Sequence, residues 1–167
     1  MKTWFLSVAL FASLVSMAQV DTTTPPYQRY PTLPPLQLLL TDSVTQYTKA
    51  NLPKKKNVLV VLFSPDCEHC QHEAGEIVAN AEGFRDIQIV MVSTYPLYRI
   101  REFAETYGLN KMENVVMTRD PNYLLISFYA VRNLPFMALY NKKGNLITVG
   151  YGNVAIDKIL SLFNSQK

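Results

Sequence analysis

Residues 58–63 read Val-Leu-Val-Val-Leu-Phe, an unbroken β-prone apolar run. A strand without polar alternation is buried on both faces, as a central strand is in a parallel sheet covered by helices. The run ends in Ser64-Pro65-Asp66 and meets Cys67 and Cys70, the only two cysteines in 167 residues. Behind them Ala74, Ile77, Val78 and Ala81 recur at helical spacing, and Gly83 is placed to end the helix. A buried strand that delivers two thiols to the first turn of a helix restricts the chain to an α/β fold. It also makes the thiols a redox device before anything else.

The remaining elements follow from the same patterns. Residues 36–40 form a strand, with a turn at Thr41-Asp42-Ser43, and Pro53-Lys54-Lys55-Lys56-Asn57 is a solvated, charged loop. Residues 87–92 are a second apolar strand. Leu97, Ile100, Ala104 and Tyr107 mark a helix stopped by Gly108, and residues 115–117 a short strand. Asp120-Pro121 opens a third helix, because aspartate caps and proline suits the first turn. Residues 136–140 form a strand, Asn141-Lys142-Lys143-Gly144 a hairpin turn, and residues 146–149 the return strand. Ile156, Ile159, Leu160 and Phe163 give a closing amphipathic helix. This order predicts a central mixed β-sheet flanked by helices on both faces, with the site at the carboxyl ends of its strands. Tyr107, Phe128, Tyr129, Phe136 and Phe163 fall on core faces, while Tyr95, Phe63 and Phe136 are candidates for the rim of the site.

The N-terminus reads as an export signal. Lys2 supplies the positive start, residues 4–15 are apolar apart from Ser7 and Ser13, and Ser16-Met17-Ala18 offers the small residues of a cleavage site. The expected organisation is a signal peptide at 1–18, a proline-rich extended lead-in at 19–35, and one domain at 36–167. The alternative is a leader kept as an anchor, for which the apolar stretch is short. The protein is expected in an oxidising, extracytoplasmic space, the periplasm if the cell has two membranes. A hydrophobic content of 49% suits a packed core, and a formal charge of +3 is too weak a bias to argue for nucleic acid.

The strand, the Cys-x-x-Cys pair, the helix, and then Asn133-Leu134-Pro135-Phe136 before a strand and the Lys143-Gly144 turn resemble the thioredoxin superfamily. More narrowly, the chain resembles its exported TlpA/ResA-type thiol–disulfide oxidoreductases. The resemblance implies a thioredoxin-like fold, a redox disulfide between Cys67 and Cys70, and a cis-proline at Pro135. It implies that Leu134 and Pro135 lie beside the sulfurs and bind substrate, and that Glu73 is an active-site glutamate. It also implies disulfide-containing exported proteins as clients, and a thiol electron donor that a membrane could carry. The chain departs from thioredoxin at Asp66, where tryptophan is usual, at Glu68-His69 between the cysteines, at Val61 in place of a buried aspartate, and at Phe136 after the proline.

Disulfide exchange needs a thiolate, and an ordinary cysteine, at about pKa 8.5, is mostly protonated at neutral pH. A helix N-terminus favours the anion, so Cys67 is the expected nucleophile and Cys70, three residues on, the resolving thiol. His69 is expected to favour a thiolate; Asp66 and Glu68 are expected to oppose it. Glu73 is a candidate proton acceptor for Cys70, against the plainer reading of an exposed helical carboxylate. The expected activity is reduction of exported disulfides, with no cofactor. The alternative is a non-catalytic thioredoxin-like module that binds metal or peptide. Cys67, Cys70, His69 and His72 are the metal candidates, but on one helix they point to different sides, so no metal site is expected. A purely structural disulfide closing so short a loop stabilises little. Haem attachment lacks its histidine at Gln71. The residues before Cys67 also lack the threonine-bearing motif of peroxiredoxins.

Overall fold

The computed structural model describes residues 23–165. The expected signal peptide at 1–18 lies outside the described residues. The chain runs α1 (Pro26–Arg29), β1 (Leu38–Leu40), β2 (Gln46–Tyr47), β3 (Asn57–Leu62), α2 (Glu68–Ala79), β4 (Ile87–Ser93) and α3 (Leu97–Tyr107). It continues through β5 (Val115–Arg119), α4 (Leu124–Tyr129), β6 (Phe136–Tyr140), β7 (Leu146–Tyr151) and α5 (Ile156–Asn164). The strands form one mixed sheet in the order β2-β1-β5-β4-β3-β6-β7. The unbroken apolar run becomes β3, parallel to β4 and antiparallel to β6, with Val60 opposite Val90 on one side and Ala138 on the other.

Pleating sorts the side chains of this sheet into two cores. Leu59, Val61, Ile89, Met91, Met137 and Leu139 face α2, α3 and α5, where Ala74, Ile77, Ile100, Ile159 and Phe163 meet them. Val58, Val60, Leu62, Val90 and Val92 face the other way, onto Leu125 and Tyr129 of α4 and Tyr27 of α1. Both parallel crossovers, β3-α2-β4 and β4-α3-β5, step in the same direction across the sheet. Right-handed connection therefore puts α2 and α3 on the same face. Each fully buried aliphatic side chain contributes about 1.5–3 kcal/mol, and α2 is held by this burial. That packing fixes its first turn against the carboxyl end of β3.

Several expectations change in detail. The third helix begins at Leu124, because Tyr123 takes a left-handed conformation (φ 57°) that breaks the chain after Asp120-Pro121. Asp120 still serves that helix: it is buried, and its Oδ2 accepts the Leu125 N–H at 2.8 Å. Helix α2 ends at Ala79, and a 3-10 turn at Ala81–Phe84 carries the chain past Gly83. Phe63 and Phe136 are core residues, 3% and 0% exposed, and neither rims the site. Strand β2 has only two residues, too few for a sequence pattern. The proline-rich segment carries the helical turn α1, buries Tyr27 and Leu33, and runs beside the β6–β7 hairpin. There the Leu33 N–H donates to Gly144 O and the Leu146 N–H to Pro31 O, each at 2.8 Å. No helix among the described residues is long and apolar enough to cross a membrane.

Candidate active site

Cys67 is the N-cap of α2. Its carbonyl accepts the N–H groups of Cys70 (2.9 Å) and Gln71 (3.0 Å), and its own N–H donates to Ser64 O at 3.2 Å. The Gln71 Nε2 donates back to Pro65 O at 2.9 Å and ties the loop to the helix. Cys67 is half-buried, and its Sγ lies 3.8 Å from the carbonyl oxygen of Leu134. The first N–H groups of a helix have no intrahelical acceptor, so this is a place where a negative charge is favoured. Both cysteines are free thiols, and they lie close together. Cys70 is 2% exposed. Burial pushes its thiol up to about 12, with Cys67 and Glu73 adding to the effect and a contact with the Ser64 backbone opposing it. The two sulfurs thus divide: one half-buried at a helix end, the other buried and held as the thiol.

Glu73 stands one turn beyond Cys70 and is also buried, at 2% exposure. The plain reading of an exposed helical carboxylate does not describe it. Its Oε2 accepts from Asn153 Nδ2 at 3.1 Å and from the Val154 N–H at 3.4 Å, while its Oε1 is buried without a hydrogen-bond partner. Burial raises its pKa, and the Asn153 hydrogen bond is the largest influence opposing that rise. Asn153 also reaches His69: its Nδ2 donates to His69 O at 2.8 Å, and its Oδ1 lies 2.9 Å from His69 Nδ1.

The other candidates are spread around the pair. Asp66 is exposed and ion-paired with Arg99, which also lies 3.5 Å from Glu102. Of the two carboxylates expected to oppose a thiolate, Asp66 is therefore paired with a cation. Glu68, His69 and His72 are exposed on the first turns of α2. The Leu134–Pro135 peptide bond is cis; Pro135 is buried, and its carbonyl accepts the Gly152 N–H at 2.8 Å. Among the described residues, no group of three or more His, Cys, Asp or Glu is arranged to hold a metal ion. Sequence reasoning missed Asn153 and Arg99. Both lie far along the chain, in the β7–α5 loop and in α3, and no local motif marks either.

Comparison with known proteins agrees with this arrangement. The profile of the AhpC/TSA family matches residues 32–149. The thioredoxin-like protein SkfH of Bacillus subtilis is 22% identical over 112 residues, covering 65% of this chain and 77% of its own length. A secreted Mycobacterium tuberculosis disulfide oxidoreductase homologous to Escherichia coli DsbE superposes with a TM-score of 0.64. It is 17% identical, with 77% of this chain and 93% of that one covered. The peroxidoxin BcpB, also of M. tuberculosis, superposes with a TM-score of 0.68 at 16% identity, with 81% and 96% covered. The fold is thioredoxin-like.

Proposed function

The chain belongs to the AhpC/TSA family, and on that premise we propose that it is an exported thiol–disulfide oxidoreductase that reduces disulfides through Cys67 and Cys70. The Cys67 thiolate attacks a client disulfide, whose S–S bond breaks; a mixed disulfide forms and one client thiolate leaves. Cys70 then gives up its proton, and its sulfur attacks Cys67 Sγ and releases the second client thiolate. The client gains two electrons and two protons, and the pair is left as an intramolecular disulfide. A dithiol donor returns it to the reduced state. Glu73, buried beside Cys70 with an unpaired Oε1, accepts the resolving proton. Leu134, whose carbonyl faces Cys67 Sγ, presents its backbone to the client, and the buried Pro135 beside it keeps the approach to the sulfurs open.

One observation carries the dithiol cycle: Cys67 is half-buried at the start of α2, and Cys70 is buried next to it. Cys70, pushed up to about 12, keeps its proton until the mixed disulfide has formed. The reducing direction rests on the resemblance to the TlpA/ResA-type proteins, and the redox midpoint tests it. The apolar N-terminal leader and the secreted relative support export.

The test is mechanism-based trapping. Cys70→Ser is expected to accumulate mixed disulfides with extracytoplasmic proteins, and Cys67→Ser to accumulate none. Equal trapping by both variants would overturn the assignment of nucleophile. Because BcpB is named a peroxidoxin, a peroxide arm belongs beside it. The reduced protein is expected to consume hydrogen peroxide no faster than a free cysteine.

A further inference from the structure

We propose that Asn153 is the positioning residue of this site: a single amide that holds His69 and Glu73 against the cysteine pair and couples their states to it. The inference rests on the oxidoreductase reading and adds a residue that no motif assigns. Asn153 sits in the loop between β7 and α5, 84 residues from His69 and 80 from Glu73, and spends its whole side chain on them. Its orientation is determined. The His69 main-chain oxygen can only accept, and it lies 2.8 Å away, so the atom facing it is the NH2 group. The same group then donates to Glu73 Oε2.

A consequence follows for the imidazole. With Asn153 Oδ1 as an acceptor 2.9 Å from Nδ1, that ring nitrogen must carry the hydrogen. His69 is held with Nδ1 as donor, and Nε2 is the nitrogen left to exchange a proton with solvent or client. On its other side, the amide donates to the one oxygen of Glu73 that is satisfied. The groups that face Glu73 are Cys70, His72 and Glu76 from its own helix, and Asn153 and the Val154 N–H from the loop. Of these, Asn153 does most to hold the carboxylate in its charged form. Removing it leaves Glu73 with the weaker Val154 contact and drives its titration further upward. The base then becomes harder to regenerate between cycles.

The experiment compares the full protein with Asn153→Ala and Asn153→Asp by NMR and by glutathione equilibration. In the unsubstituted protein at mildly alkaline pH, the His69 nitrogen shifts are expected to report the Nδ1–H tautomer, and Asn153→Ala to lose that signature. The Glu73 titration is expected to move upward in Asn153→Ala. It should move further in Asn153→Asp, which matches asparagine in shape but places a second carboxylate there. The equilibrium constant of the cysteine pair with glutathione is expected to change by about threefold or more in both variants. A merely structural asparagine would lower stability and leave all three readouts unmoved, which would overturn the proposal. If Asn153→Ala does not fold, the isosteric aspartate carries the test alone. The tautomer and the Glu73 titration need no redox activity. Failure of the oxidoreductase reading would therefore show as an inert cysteine pair with these signatures intact.

Discussion

Glu73 is the residue on which the proposed chemistry turns, because it is a carboxyl group placed where a carboxylate is disfavoured. Its raised pKa means that, in the pH range between the unfolded-state and folded-state values, the folded protein holds a proton that the unfolded chain gives up. By linkage, its contribution to stability is fully present below the ordinary glutamate range, and is lost as pH rises from there through the folded-state value. Glu73→Gln removes that dependence. The variant is expected to gain roughly 1 kcal/mol over the unsubstituted protein at neutral pH, the scale of one buried polar group. The advantage should shrink towards pH 4, and urea unfolding at several pH values measures it. On the proposed role of Glu73 as proton acceptor, the same variant should also resolve mixed disulfides more slowly. Sequence reasoning picked out Glu73 only through a family likeness. Its burial comes from the loop at Asn153-Val154, which no spacing along α2 can reveal.

At the level of elements, β3 and α2 were legible because each carries its own periodicity: six buried residues in a row, then apolar residues at helical intervals. The start of α4 was not, since the left-handed turn at Tyr123 is made by a residue that does not ordinarily adopt it. Nor was the packing of the proline-rich segment, where Tyr27, Leu33 and Pro34 are buried and form no repeat with their neighbours. The β7–α5 connection is the element that completes the site, and Gly150 sets its path. A Cβ there would stand 2.9 Å from Val154 Cγ2, a stiff β-branched side chain. Gly150→Ala is therefore expected to push the loop away from α2, at about 1–3 kcal/mol of stability. It should also weaken the Val154 contact to Glu73. Thermal unfolding, together with the Glu73 titration, separates this from a harmless surface change.

For the whole molecule, the sheet divides the chain into two poles. The strand that ends at the cysteines begins beside Lys54, Lys55 and Lys56, and the Asn141–Gly144 turn lies at that same far end. The candidate redox pole therefore lies at one end of the sheet, with α2 packed on that sheet beside α3. This placement makes folding and redox state a single thermodynamic cycle. A pair that works as a reductant is one whose disulfide the fold prefers, so the oxidised protein is expected to unfold at a higher temperature than the reduced protein. The reverse order would mark an oxidant.

The most direct test of the account is a redox titration of the purified protein in glutathione or dithiothreitol buffers, with free thiols counted by alkylation and mass. Cys67 and Cys70 are expected to disappear together in one two-electron step to an intramolecular disulfide. The midpoint should lie below about −200 mV, away from the ~−120 mV of a dedicated oxidant. Two thiols that titrate independently, or a Cys67 that takes up glutathione without Cys70 ever displacing it, would contradict it.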